Sequence, residues 1–397
     1  MTAERKPARW QPFAISLLFF LPVISGIVNR LTEPSRWFRD YNAMACGAEK
    51  WLQDAPIYDR ELSCPGMDAM PFVYHPWVAQ TFAWPLNLLG QQGLVLAYAG
   101  IYFVALAAIL WLIVGRSGPT PRTRRAWFAG FMTGSTVVWG NVAILVHALI
   151  GVIAIQLTKR PFLLVLAIAF AAIFKPVFLT FAAIFLVAQL PLWRRLAYGL
   201  ATIALGAAPT AYFVLTGGEM VEQWRELLAY WVYVGKPGDS YLGWLNMIGL
   251  AGDSMPATLG YLAFAGVAVL CAIIIAEGLN MPADERAALG ISVGILAIPR
   301  LMSHDMMLLG LGFAATLTAI SAASEGAGKW FGRALLAICI LALVGNMADL
   351  ADWTTRICTF LLAIYLVAAA AWVMQSQRFG AGALLRTLWS GRTSAAA

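Results

Sequence analysis

Charge is what this sequence has least of. Of 397 residues only 12% are Asp, Glu, Lys or Arg and 61% are hydrophobic, at a mean hydropathy of +0.74. A soluble domain carries about twice that share of charge. The deficit excludes an ordinary soluble fold. It also excludes a nucleic-acid reading of the net charge of +7, because basic residues in a membrane protein first serve orientation. Histidine is scarcer still, with His75, His147 and His304 making up all 3, and no His or Cys pair stands at metal-ligand spacing. Nothing matches a phosphate-cradling glycine loop or a Gly-x-Ser-x-Gly elbow, and no soluble stretch could hold a nucleotide. No resident cofactor or metal is expected.

Long apolar runs are what the chain does have. A membrane helix needs about 20 mostly apolar residues, and the first run, 13–31, follows Arg5, Lys6 and Arg9 without a small-residue cleavage site. It is expected to be a retained span. Further runs lie at 93–114, 127–140, 142–157, 161–174, 177–190, 196–215, 257–276, 287–299, 304–323, 334–348 and 357–374. The pattern predicts an all-α polytopic membrane protein of about 12 transmembrane helices, with residues 1–397 as a single integral domain. Several runs are shorter than the bilayer core, which predicts kinked or tilted helices around a cavity.

Lys and Arg set the orientation of such a chain. Threaded alternately from a cytoplasmic N-terminus, the runs place 17 of the 27 basic residues and 5 of the 20 acidic ones inside, so the inner face is +12 and the outer face −5. The expected location is a bacterial inner membrane, with both termini cytoplasmic and 375–397 as a cytoplasmic tail. Segments 33–92 and 216–256 are then external. This threading requires the apolar stretch Met70–Leu89 to lie along the surface or re-enter, in keeping with its two prolines, Pro76 and Pro85. Cys46 and Cys64 share the first external segment, 18 residues apart, where an oxidising compartment allows a bridge. Cys271, Cys339 and Cys358 read as packing.

The scarce polar residues gather at the outer span ends. Asp40, in Trp37-Phe38-Arg39-Asp40-Tyr41, reads either as an N-cap for a helix starting at Tyr41 or as a general base at the membrane boundary. In Phe72-Val73-Tyr74-His75-Pro76-Trp77, the aromatics read as an interfacial belt or as sugar-binding groups. Asn141, the Lys175-Pro176 pair, and Pro299-Arg300 with Ser303-His304-Asp305 each interrupt two apolar runs. Lys175 and Arg300 read as snorkelling cations or as ligands of a lipid phosphate. His147, among Leu145, Val146, Ala148 and Leu149, reads as a packed or helix-bonding residue.

In this order and placement the chain resembles the membrane glycosyltransferases of the GT-C fold, most nearly glycosyltransferase family 87, the polyprenyl-phosphate-mannose-dependent α-mannosyltransferases of the phosphatidylinositol-mannoside type. The stretches that carry the resemblance are Asp40-Tyr41, Ala55-Pro-Ile-Tyr58, Phe72-Val-Tyr-His-Pro76, Trp84-Pro85-Leu86, Gly140-Asn141-Val142, Lys175-Pro176 and Pro299 followed by His304. The chain departs from the family in having Gly-Asn-Val-Ala for Gly-Gln-Val-Asn, and His304-Asp305 for an aromatic or His pair.

The resemblance implies an inverting transferase that moves a hexose, expected to be mannose, from a polyprenyl-phosphate donor to a lipid or glycan acceptor on the periplasmic face. Asp40 would be the base and His304 would hold acceptor or donor phosphate. Lys175 and Arg300 would bind the leaving phosphate, and Tyr41, Tyr58, Tyr74 and His75 would line the sugar pocket, with Asn141 and Asp305 alongside. Membrane lipids are the surroundings and nucleic acid is not a partner. The competing classes are a flippase or transporter for lipid-linked sugars and an O-antigen polymerase or ligase. A transporter should show repeated halves and access to both faces. A polymerase should have a late, arginine-rich external loop, whereas 216–256 has only Arg225 and Lys236.

Overall fold

The computed structural model describes residues 11–31, 37–155 and 159–390. All regular elements among them are helical, and there is no strand among the described residues. In chain order they are α1 (Gln11–Phe19), α2 (Leu21–Leu31), α3 (Arg39–Leu52), α4 (Pro76–Leu110), α5 (Arg122–Ala126), α6 (Gly134–Val138), α7 (Val142–Ala154), α8 (Pro161–Phe174) and α9 (Ala183–Val187). There follow α10 (Leu192–Thr216), α11 (Glu219–Ala229), α12 (Tyr241–Met247), α13 (Met255–Gly278), α14 (Ala283–Leu296), α15 (Leu309–Ala323), α16 (Glu325–Met347), α17 (Ala351–Ser376) and α18 (Ala381–Ser390). Arg5, Lys6, Arg9, Arg36 and Arg392, used above for orientation, lie outside the described residues.

Six of these stretches are long and apolar enough to cross a membrane: Pro76–Gly115, Leu192–Thr216, Met255–Gly278, Ser303–Ala323, Glu325–Met347 and Ala351–Ser376. Shorter apolar helices at Leu21–Leu31, Val142–Ala154, Pro161–Phe174 and Pro176–Val187 pack among them. The protein is therefore an all-α, membrane-embedded protein.

The helices depart from the apolar runs in instructive places. The apolar stretch ending at Leu89 and the run 93–114 form the two helical arms of α4, which meet at a non-helical residue, Gly90, where φ is +66°. Only glycine takes that conformation cheaply, so the bend separates the Pro76 arm from the spanning arm. The 127–140 run is no continuous helix. It is a 3-10 turn over Trp127–Phe131 and then the five residues of α6. Segment 216–256 holds α11 and α12, and the expected tail carries the end of α17 and α18.

Two helices form the centre. Every residue of α14 from Glu285 to Leu296 is buried, as is most of α15, whereas α13 and α10 keep leucines and aromatics exposed. A helix apolar and covered on all sides is an interior one. Close approach is made possible by Gly312, where a Cβ would fall 2.6 Å from the Leu289 Cα, the small-residue contact typical of membrane helices.

The two ends of α14 differ in chemistry. At its start, Glu277 accepts from Arg195 at 2.5 Å and from Arg286 at 2.6 and 3.2 Å. Arg116 meets Asp284 at 2.5 Å and Thr120 donates to Glu285 at 2.9 Å. At its other end, Asp239 N–H donates to the Leu301 carbonyl at 2.7 Å and Leu242 N–H to that of Pro299 at 3.0 Å, which pins the 236–242 loop to the 299–301 turn. The three polar interruptions that the sequence placed together all lie at this second end or beside it.

Candidate functional site

The site is built on two unusual backbone positions. Phe38 and Gly140 both have positive φ, +57° and +67°, and a Cβ on Gly140 would lie 2.4 Å from the Phe38 ring. With no side chain there, the two segments run against one another. Phe38 N–H donates to the Val138 carbonyl and Asp40 N–H to that of Trp139, both at 2.9 Å. Tyr98 closes the contact through its hydroxyl, which donates to the Gly140 carbonyl at 2.6 Å.

This docking sets Asp40 beside Asn141. Helix α3 begins at Arg39 and its N-cap is Phe38, with no side-chain cap, so Asp40 lies in the first turn and does not cap a helix starting at Tyr41. Asp40 is 8% exposed, and its carboxylate accepts from the Asn141 amide at 2.6 Å. The amide has no choice of orientation. Its oxygen accepts the Ala143 N–H at 2.9 Å, as the N-cap of α7, and the Lys175 ammonium at 3.2 Å, which leaves the NH₂ facing Asp40. A carboxylate, an amide and an ammonium thus form one hydrogen-bonded chain, and Lys175 Nζ stands 5.5 Å from the Tyr74 ring centre.

A second cluster faces the first. His304 and Asp305 occupy the 3-10 turn Ser303–Leu308. Asp305 is held by the Met302 N–H at 3.0 Å and by His147 Nε2 at 3.1 Å, while His304 Nε2 stands 3.8 Å from its other oxygen. His147 is fully buried among Phe178 and Phe181. It is packed, as expected, and its polar edge meets Asp305 rather than its own helix. The signal was present in α7: a polar residue in an otherwise apolar membrane helix needs a partner.

Electrostatics ties the clusters together. Burial pushes the Asp40 carboxyl above its usual range, although Asn141, Lys175, Lys236 and Arg39 all act to lower it. Tyr74 is pushed up by burial while feeling the charges of Asp40, Arg300 and Asp305 at once. Arg300 is pushed down by burial, against the pull of Asp305 and Asp40. Its Nε donates to the Lys236 carbonyl at 2.6 Å, and the Lys236 ammonium stands 5.3 Å from the Trp139 ring centre. Beside these groups lies a cavity of about 670 Å³, walled by α2, the 235–239 loop, the 302–304 turn and the facing ends of α16 and α17. Trp139 and His304 line it. Asp40 does not, since it lies behind the 139–141 segment.

The remaining sequence candidates pack elsewhere. Tyr41 stacks on Tyr98 with ring centres 4.8 Å apart. The Tyr58 hydroxyl donates to the Tyr74 carbonyl at 3.1 Å, and so supports Tyr74 from behind. His75 caps α4, its Nδ1 accepting the Trp77 N–H at 3.2 Å, with its ring against Phe213. None of the three lines the cavity. A disulfide joins Cys46 to Cys64, tying α3 to the loop that leads to Tyr74. Reading the sequence missed Trp139, Lys236 and Arg356 as neighbours of the site, because loop 235–239 reaches it only through tertiary contact.

No protein-family model, curated protein or solved structure matches this chain. The site must therefore be read from its own geometry. A buried, amide-anchored carboxylate can take a proton, and the cations of the same cluster can offset the charge of an anion. His304→Ala would remove the polar group between cavity and cations. Thermal unfolding is expected to show the Asp305–His147 pair and the stability of the fold left in place.

Proposed function

We propose that the protein is an inverting glycosyltransferase that uses a polyprenyl-phosphate-linked hexose, mannose by family resemblance, and glycosylates a lipid or glycan acceptor. The observation that carries this reading is the Asp40–Asn141–Lys175 chain, with Arg300 close enough to share its charges. Asp40 would take the proton from the acceptor hydroxyl as that oxygen bonds to the anomeric carbon. The bond from that carbon to the phosphate oxygen breaks, and the electron pair leaves with polyprenyl phosphate. Lys175 and Arg300 offset the charge that develops there. Asn141 fixes the carboxylate by donating a neutral amide N–H to one of its oxygens.

The wider assignment belongs to the same proposal. It comprises a GT-C-type fold of family 87, about 12 passes once the shorter helices are counted, cytoplasmic termini, and a site on the periplasmic face of a bacterial inner membrane. The candidate groups Asp40, Asn141, Lys175, Arg300, His304 and Asp305 lie toward one end of α14, whereas the charges at its other end are paired with one another, which supports an enzyme working at one face over a flippase, which needs access to both. Cysteines introduced at the exposed positions 61 and 349 should react with an impermeant reagent from outside, and one at 124 from inside.

The decisive experiment incubates purified protein in lipid nanodiscs with labelled polyprenyl-phosphate hexoses and membrane glycolipid acceptors. The expected result is a product whose anomeric configuration is opposite to that of the donor. Retention of configuration, or use of a nucleotide sugar, would overturn the assignment. The rate is also expected to rise with pH over a range displaced above that of an ordinary carboxylate. Asp40 must be ionised to act, and burial raises the pH at which it loses its proton.

A further inference from the structure

Helix α17 does not run on into α18. The backbone breaks at Arg378, whose φ of +48° lies in the left-handed region that residues with side chains seldom occupy. The chain then lays α18 against α10 and α13. Phe379 lies against Gly278 at the end of α13, and the neighbouring Glu277 holds Arg195 of α10 at 2.5 Å. α18 therefore sits at the same end of the bundle as Trp193 and Arg194, where α10 starts. Glu277 also binds Arg286 of α14, so this is the end of α14 opposite the candidate site.

The two faces of α18 differ. Ala383 and Leu384 pack on the core, and Thr387 between them and the bundle is buried. The opposite face carries Leu385 and Trp389, one turn apart and 64% and 79% exposed, with Arg386 at its edge. Beside the helix Trp193 is 65% exposed, and the Arg194 guanidinium stands 5.0 Å from its ring centre. An open leucine–tryptophan face is a liability in water. A helix with Trp and Leu on one side and Arg beside them is instead the kind that lies in the plane of a membrane interface, the depth at which tryptophan also collects.

The charge on this surface has one sign. Segments 192–200 and 376–390 contain Arg194, Arg195, Arg378 and Arg386 and no Asp or Glu. The carboxylates near this end are already engaged, Glu277 by Arg195 and Arg286, Asp284 by Arg116 and Glu285 by Thr120. Arg194, Arg378 and Arg386 are exposed, and guanidinium groups match phosphate oxygens in geometry and charge. A zwitterionic headgroup brings its own ammonium and leaves three such groups without a net counter-charge. An anionic headgroup supplies it.

We propose that α18, together with Trp193 and Arg194, is an interfacial anchor that binds anionic phospholipid. Leu385 and Trp389 enter the acyl boundary, and Arg194, Arg378 and Arg386 meet the headgroup phosphates. The anchor is independent of the transferase reading.

To test it, the full-length protein is placed in nanodiscs of phosphatidylcholine alone or mixed with an equal part of phosphatidylglycerol. Lipids that stay bound after transfer to detergent are quantified by mass spectrometry. Wild-type protein is expected to retain phosphatidylglycerol over phosphatidylcholine by about tenfold or more. Arg194→Gln/Arg378→Gln/Arg386→Gln is expected to return the ratio to that of the bulk lipid, with thermal unfolding in phosphatidylcholine unchanged. A polarity-sensitive fluorophore on Gly382→Cys, where an added side chain has open space, reports depth. It labels one site, because Cys271, Cys339 and Cys358 are buried and Cys46 is bridged to Cys64. Its emission should lie further to the blue in the phosphatidylglycerol discs, and Leu385→Ser/Trp389→Ser should remove that shift. Equal retention of the two lipids, or an unchanged preference in the triple variant, would overturn the inference. Release of the bound lipid by inorganic phosphate alone would also do so, by making this a soluble-anion site. So would cross-linking of the Gly382→Cys protein to a second copy in the discs, which would assign the face to self-association.

Discussion

Asp40→Asn is expected to abolish sugar transfer while leaving the protein folded. The size of the loss should match what a positioned general base contributes, about 10²–10⁴-fold. The substitution keeps the shape of the side chain. Its carbonyl oxygen can still accept from the Asn141 amide, so the bond that now measures 2.6 Å need not be lost and α3 should stay docked on Trp139. What disappears is the ability to take a proton. Rates from a labelled polyprenyl-phosphate donor, read beside thermal unfolding of the same preparation, separate the two effects. Transfer at the parental rate would remove Asp40 from the chemistry, and the cluster would then be a structural hydrogen-bond chain. Asn141→Leu is the informative companion, because it leaves the carboxylate in place but frees it from its anchor.

Glu277→Ala is expected to have the largest effect on stability, on the order of 3–5 kcal/mol. Glu277 lies between two guanidinium groups, Arg195 and Arg286, which are 1% and 0% exposed. Its removal leaves both buried without a counter-charge, and their remaining bonds to the Leu190, Leu186 and Met281 carbonyls do not neutralise them. Breaking one partner of a buried ion cluster costs far more than replacing the whole cluster by apolar residues. The triple variant Arg195→Met/Glu277→Leu/Arg286→Met should therefore recover most of the loss. Thermal unfolding in detergent measures both. Equal stability of Glu277→Ala and wild type would mean that water reaches the cluster from the neighbouring 660 Å³ cavity, which Glu277 lines.

Much of this protein was legible before any coordinate. The helical character follows from the length of the apolar runs, and the groups Asn141, Lys175, Arg300, His304 and Asp305 between them could be picked out because a polar residue is conspicuous against so much hydrocarbon. Asn141 also announced its local role, since it stands where α7 begins and caps it. The aromatic candidates were harder. Tyr41, Tyr58 and His75 share the neighbourhood of Asp40 in sequence, yet they serve as a ring contact, a support for Tyr74 and a helix cap. A tyrosine between two apolar runs looks the same from sequence whether its hydroxyl meets a ligand or a backbone carbonyl. For His147 the packed position was readable but its partner was not, because Asp305 is 158 residues away.

The sequence by itself determined that the chain enters a membrane and which few polar residues it carries there, because the cost of burying charge in hydrocarbon leaves only partnered or working groups. Tertiary structure alone decided who the partners are. The positive-φ pair Phe38 and Gly140 brings Asp40 to Asn141 across 101 residues. The pinned 236–242 loop carries Lys236 to Trp139, and the meeting of α2, α16 and α17 makes a cavity from residues with no local pattern. Such contacts depend on how helices cross and where a backbone bends, and composition and periodicity hold no record of either.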